Sequence, residues 1–185
     1  HNISHENDFE VLVYNSPYKL FNRRNEVVVS VNLNNKENHM SLKNEKLYVG
    51  GGCFWCIEAV FQDVIGVEKV VSGYSGGLIK NPSYEQVSSG RTKHAEVCEI
   101  TYNPAAIELE QLLKIFFLSH DPTTINKQGN DVGEHYRSIV FFSDSNQKKV
   151  VDNVINELNV SIFDHKIVTQ VQEFDVFYMA ETYHQ

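Results

Sequence analysis

"KLYVGGGCFWCIEAVFQDVIG", residues 46 to 66, passes from one structural period to another within a few positions. Residues 46–49 read as a short strand and the three glycines 50–52 as a tight turn. From Cys53 onward Ile57, Val60, Phe61 and Val64 recur at helical spacing, with Gly66 closing the pattern. A strand that runs through a glycine turn into a helix over 53–65 places C-F-W-C at the helix N-terminus. The same alternation of periods continues along the chain.

"VEKVVSGY" predicts a strand, "SGGLIKNPSYEQVSSGRTK" a loop, and "HAEVCEITY" the next strand. A helix is predicted from Asn103-Pro104, with Leu109, Leu112, Leu113, Phe116 and Phe117 on one face. "SHDPTTINKQGNDVGEHYR" is a long loop for a compact domain and so a candidate for function. "SIVFF" reads as a strand, Asp144 to Leu158 as a helix, and "KIVTQV" and "FDVFYM" as closing strands. The order β-α-β-β-α-β-α-β implies an α+β fold, a mixed sheet with helices packed on it. Residues 1–45 differ, being rich in Asn, Lys and Glu. Their runs "FEVLVY" and "EVVVSV" have strand character and suit a small hairpin or an added sheet edge. They are read as an N-terminal extension, a leader, linker or cloning remnant, without catalytic role, preceding a domain over 46–185.

A net charge of −8 argues against the phosphate backbone of nucleic acid as a main partner. No stretch has the roughly 20 apolar residues of a membrane span. The chain begins at His1 rather than Met, which leaves an upstream segment open. Three cysteines, Cys53, Cys56 and Cys98, make a poor framework for a disulfide scaffold. That favours a reducing compartment, with the cytoplasm as the expected location and an organelle as the alternative.

A thiol attacks as its thiolate, and the unsatisfied amides at a helix start lower its pKa, so Cys53 sits where that effect is strongest. Cys56, three residues on, lies about 5 to 6 Å away between Cβ atoms, within adjustment of disulfide geometry. The pair is laid out for redox chemistry. Three rivals stay open: cysteines as buried small hydrophobes, a zinc site completed by Cys98 with His94, His120 or His135, and a thioredoxin-like dithiol oxidoreductase. Period-2 alternation puts Glu96 on the side of Cys98, Ile100 and Tyr102. Held there against an apolar face, it would stay protonated near neutral pH and serve as a general acid, whereas at a solvated strand end it would pair with Arg91 or Lys93. Tyr84, Asp131 and Tyr136 lie in the two long loops, where donors converge on pockets.

Taken in order and spacing, "GGCFWCIEAVF", "SGYSGG", "NPSYEQVSSG", "HAEVCEITY", "LSHDPTT", "QGNDVGEHYRS" and "AETYHQ" resemble the peptide methionine sulfoxide reductase A family over Lys46 to Gln185. The resemblance implies a two-layer sandwich around a mixed sheet with a ferredoxin-like core. It implies reduction of the S epimer of methionine sulfoxide, free or in proteins, as protein repair under oxidative stress. In that reading Cys53 attacks the sulfoxide sulfur, Glu96 protonates the departing oxygen, and Tyr84 and Tyr136 hydrogen-bond it with Asp131 in the same polar network. Phe54 and Trp55 receive the methyl group. Cys53 passes to a sulfenic acid, Cys56 condenses with it to a disulfide, and a dithiol, thioredoxin or dithiothreitol, resets the enzyme. The resemblance implies no metal or organic cofactor and a monomer.

The sequence departs from the family pattern at three places. Cys56 stands where Gly is more frequent, and it is read as the resolving cysteine of a CFWC variant, with a further cysteine beyond Gln185 left open. Lys93 stands for the usual Gly before His94, and His135 for the usual Gln before Tyr136; both sit near the expected pocket. Cys98, in mid-strand, is read as structural.

Overall fold

The computed structural model of the protein describes residues 43–185 and, upstream, the backbone of two strands, β1 (Phe9–Asn15) and β2 (Glu26–Asn32), paired antiparallel with Phe9 opposite Asn32. The chain then runs through β3 (Glu45–Gly50), α1 (Phe54–Phe61), β4 (Val67–Ser75), α2 (Tyr84–Ser88), β5 (Ala95–Tyr102) and α3 (Leu109–Ser119). A small hairpin, β6 (Lys127–Gln128) with β7 (Asp131–Val132), and a 3₁₀ turn at Glu134–Tyr136 precede β8 (Ile139–Phe142). After α4 (Ser145–Ser161) come β9 (Gln170–Glu173), β10 (Phe177–Met179) and a 3₁₀ turn at Thr182–His184.

Six strands form one sheet in the order β10-β4-β5-β3-β8-β9. All its pairs are antiparallel except β8 with β9, so the sheet is mixed and the fold is α+β. The strand period divides its two faces. Leu47 and Val49 of β3 and Cys98, Ile100 and Tyr102 of β5 pack with Ile57 and Phe61 of α1, Leu113 and Phe116 of α3 and Val154 of α4. Tyr48, Ala95, Val97, Ile139 and Phe141 form a second cluster on the opposite face, covered by Phe174 and Phe177. Burial of these apolar side chains, at roughly 25 cal/mol per Å² removed from water, holds helices to sheet.

The last helix runs on to Ser161 and the two closing strands are shorter than expected; four further differences from the sequence expectations have a local reason. α1 ends at Phe61 rather than at residue 65, and residues 62–66 turn back with Gly66 at φ +93, where a Cβ would press on Ile107. α3 begins at Leu109 rather than Asn103: the Asn103 side chain accepts from Ala105 N–H in a turn, and Glu108 caps the helix reciprocally with Gln111. The first expected loop contains α2, started by a capping box in which Ser83 Oγ accepts from Gln86 N–H and the Gln86 side chain accepts from Ser83 N–H. The second contains the β6–β7 hairpin, turned by Gly129 and Asn130, and the 3₁₀ turn that carries Tyr136.

The C-terminal segment is fastened to the sheet at Gly73. A Cβ there would overlap the Phe177 ring and the Tyr178 carbonyl, so only glycine lets β10 pair with β4 at this register. Gly73→Ala is therefore expected to lower stability by about 1–3 kcal/mol, the cost of forced overpacking. Urea unfolding followed by the fluorescence of Trp55, the chain's only tryptophan, measures this; an unchanged midpoint would mean that β10 carries no such constraint.

Candidate functional site

Cys53 is the N-cap of α1, in extended conformation at φ −61, ψ 125, directly after Gly52 at φ +94. Only a glycine turn fits here because side chains would collide on both sides: a Cβ on Gly51 would press on the His120 ring, and one on Gly52 on Gln128. Gly52 N–H donates to the Tyr136 carbonyl at 3.2 Å, which brings the second long loop to the thiol. From the other direction β5 delivers Glu96, whose Oε2 accepts the Phe54 amide at 3.1 Å. One of the orphan donors of the helix N-terminus is thus capped by a side chain from the sheet rather than by a residue of its own turn.

Glu96 is only 2% exposed and has no salt-bridge partner among the described residues. The alternative pairing with Lys93 does not form: Lys93 Nζ lies 2.7 Å from Glu134. Burial raises the Glu96 carboxyl to about 7, the Phe54 amide opposes this, and the negative charge of Asp131 and the neighbouring Cys56 add to the rise. The same charges reach Tyr84 and Tyr136, whose hydroxyls are pushed up first by burial and then by Glu96, so both remain O–H donors at neutral pH. The groups expected from sequence gather around the two tyrosines: the charges of Glu96, Cys53 and Asp131 all bear on the hydroxyls of Tyr84 and Tyr136.

The Cys53 thiol corrects one expectation. The Trp55 amide lowers its pKa, as a helix start should, but this is outweighed by the hydrogen bond with Cys56 and by burial, with the Glu96 charge adding to the rise. Hydrogen-bonded to Cys56, Cys53 is held as a thiol well above its ordinary range. Cys98 is fully buried in β5, donates to the Phe54 carbonyl at 3.3 Å, and is pushed up by burial. Its place is in the packed core rather than in the cluster of reacting groups.

Phe54 and Trp55 open in different directions. Phe54 is 2% exposed and Trp55 is half-exposed, its indole N–H donating to the His184 carbonyl at 3.0 Å. His184 stands edge-on to Phe54 at 5.2 Å between centroids, and lies 5.3 Å from Trp55 and 4.6 Å from Tyr84. These four rings make an aromatic box beside Cys53. Glu181 fixes its far wall, accepting from Tyr74 O–H at 2.9 Å and Tyr84 N–H at 2.7 Å. Sequence reasoning misses Glu181 and His184 as site residues, although both belong to the quoted "AETYHQ" segment. Their one signal is the clustering of a carboxylate and two rings in a terminal stretch with no periodicity.

The two departures near the site are accommodated. Lys93 adopts φ +64, a conformation suited to glycine, and its carbonyl accepts from Arg137 Nη2 at 3.1 Å. The His135 ring packs at a tilt of 45° against Tyr136, 4.0 Å between centroids, and burial lowers its pKa. Among the described residues no three His, Cys, Asp or Glu side chains are arranged so that they could hold a metal ion; His94 is engaged by Gly77 and Ile79, and His120 by Phe116 and Ser138.

A model of the peptide methionine sulfoxide reductase family matches residues 45–185. Among similar proteins, the peptide methionine sulfoxide reductase MsrA of Chromobacterium violaceum is 51% identical over 142 residues, 76% of this chain and 81% of its own. MsrA of Saccharolobus solfataricus is 50% identical over 136 residues, 74% of this chain and 76% of its own. Among solved structures, reduced Mxr1 from Saccharomyces cerevisiae superposes with a TM-score of 0.72 at 33% identity, covering 77% of this chain and 83% of that one. Methionine sulfoxide reductase A of Corynebacterium diphtheriae gives a TM-score of 0.68 at 31% identity, covering 77% and 72%.

The environment of Glu96 makes a direct prediction. Carbon-13 NMR of glutamate-labelled protein should show one carboxyl titrating near 7, against 4.5 for an ordinary glutamate. Asp131→Asn removes a neighbouring negative charge, which eases ionisation, so that midpoint should move down. A wild-type midpoint near 4.5 would contradict the buried-acid description.

Proposed function

From the family to which this chain belongs, the peptide methionine sulfoxide reductases, we infer that it reduces the S epimer of methionine sulfoxide, free or in proteins, to methionine. The observation that carries the assignment of roles is the contact between Glu96 and the amide that follows Cys53. It sets the raised carboxyl of β5 against the first turn of α1, beside the Cys53 thiol, and sulfoxide oxygen leaves only when protonated while a nucleophile attacks sulfur.

In this reading the sulfoxide methyl group enters the box between Phe54 and Trp55, and the oxygen accepts from Tyr84 and Tyr136. Asp131 acts indirectly, by holding Glu96 protonated. Cys53 gives up its proton as the substrate binds and attacks the sulfur, and Glu96 delivers a proton to the oxygen. Methionine departs and the oxygen remains on Cys53 as a sulfenic acid. Cys56 attacks that sulfur and releases water, leaving a Cys53–Cys56 disulfide, which an external dithiol such as thioredoxin reduces with two electrons. No metal or organic cofactor takes part in these steps. The general dithiol oxidoreductase and the zinc module find no support in the relatives.

The catalytic unit is residues 46–185, built as a two-layer sandwich with a ferredoxin-like core, and residues 1–45 are an extension without catalytic role. It works as a monomer in a reducing compartment, the cytoplasm. Among the described residues no helix is long and apolar enough to cross a membrane.

Turnover of each separate epimer with dithiothreitol tests the function. The S epimer alone should react, and Cys53→Ser should abolish the reaction. Glu96→Gln should slow it by about 10² to 10⁴, the usual worth of a general acid. Cys56→Ser should release one methionine per enzyme and then fail to cycle with thioredoxin. Wild-type protein inactive on both epimers would overturn the assignment.

A further inference from the structure

The segment that closes the aromatic box continues past it to the surface. Tyr183, one residue before His184, is 70% exposed, and its ring lies 4.3 Å from the His184 ring, on which Phe54, Trp55 and Tyr84 also converge. Trp55 is half-exposed, so two aromatic rings reach solvent on either side of a buried imidazole. An extended chain advances about 3.3 to 3.6 Å per residue. A residue next to the one whose side chain fills the box therefore comes within reach of Tyr183.

Two carboxylates flank this ring. Glu181 accepts from the Tyr84 amide at 2.7 Å and from Tyr74 O–H at 2.9 Å, and the exposed Glu85 follows Tyr84 in the first turn of α2. Burial of Glu181 is outweighed by its hydrogen bonds, that of the Tyr84 amide foremost, so the carboxyl is held below its usual range and carries a charge. Slight burial and then the charges of Glu181 and Glu85 raise the Tyr183 hydroxyl, which both carboxylates therefore reach. Among the described residues neither carboxylate forms an ion pair; Lys93 is taken up by Glu134, Lys46 by Glu99, and Lys114 by Glu110 and Glu157. The rim thus sets uncompensated negative charge beside an exposed ring.

A second observation is independent of charge. His184 is 6% exposed, and neither of its ring nitrogens has a hydrogen-bond partner. Buried polar atoms are paired in the great majority of cases, so a wall that leaves two unpaired is one that meets a ligand. Tyr183 borders that wall on its exposed side.

We propose that Tyr183, Glu181 and Glu85 form a subsite for a cationic side chain, lysine or arginine, adjacent to the oxidised methionine of a polypeptide substrate. The proposal rests on the reductase reading and names the class of substrate that the same site prefers. The cation lies over the face of Tyr183, where the ring quadrupole attracts it, and the two carboxylates supply the opposite charge. An acidic neighbour is repelled by the same groups. An apolar neighbour gains contact with the ring alone.

Initial rates with dithiothreitol on blocked peptides that carry Lys, norleucine or Glu immediately before or immediately after methionine sulfoxide test the subsite. In at least one of the two positions Lys should give a kcat/KM about tenfold above Glu, with norleucine between them. The advantage should largely vanish at about 1 M salt, where the Debye length falls to about 3 Å. Glu85→Gln and Tyr183→Ala should each lower the Lys-to-Glu ratio by about two- to threefold, and Tyr183→Phe should keep it. Glu68→Gln, at the opposite end of β4, should leave the ratio at its wild-type value. A ratio does not respond to a general loss of activity or folded protein, so a poorly folding variant cannot imitate the effect. A ratio near one in both positions, or norleucine above Lys, would overturn the subsite. So would a ratio lowered equally by Glu85→Gln and Glu68→Gln, which would trace the preference to the net charge of −8. Wild-type enzyme inactive on blocked methionine sulfoxide without neighbours would instead overturn the reductase reading itself.

Discussion

The site depends on one hydrogen bond, from the Phe54 amide to the Glu96 carboxyl. It joins the start of α1 to the middle of the sheet, and both partners owe their positions to larger elements. Glu96 faces the helices because β5 alternates, and Phe54 starts a helix because three glycines let β3 close tightly against its neighbours. A Cβ on Gly50 would strike the Glu96 carbonyl. The glycine run and the acid are thus two halves of one constraint. Loss of the bond would leave a buried carboxyl and a helix amide each without its partner, the costly form of broken hydrogen bond.

The ionisation of the site follows from this closeness. A helix start alone favours a thiolate, yet Cys53 is held as a thiol by its hydrogen bond with Cys56 and by burial, with the nearby Glu96 charge adding to both. The resting state is therefore rich in protons: the Cys53 thiol, two tyrosine hydroxyls and a carboxyl raised to about 7. Such a site is poorly nucleophilic without substrate and rich in donors for an oxygen. Protonation of Glu96 removes the charge that opposes the Cys53 thiolate, so acid and nucleophile are prepared by the same event.

Much of this is legible in the sequence. The period change at Cys53 and the alternation around Glu96 are local patterns, and they lead to the right helix start and the right sheet face. Less legible are features that depend on a side chain reaching its own backbone. The Ser83–Gln86 capping box that builds α2 is written in the sequence as Ser and Gln three apart, but is overshadowed by the surrounding Gly, Pro and Asn. The hairpin at Gly129-Asn130 spans only two residues on each side and has no period to detect. The direction of the Cys53 shift lies beyond the helix-dipole argument, since it is set by contacts across Cys56 and β5. Glu181 and His184 reach the box only because Gly73 admits β10 to the sheet edge, a tertiary fact.

The most direct test is the pH dependence of the first turnover, measured as methionine released before any reductant is added. With Glu96 as the acid, the wild-type rate should fall as pH rises through about 7, where the carboxyl loses its proton, and Glu96→Gln should be slow and lack that limb. The same limb, at the same midpoint, in Glu96→Gln would contradict the account, because the group that titrates would then be some other one.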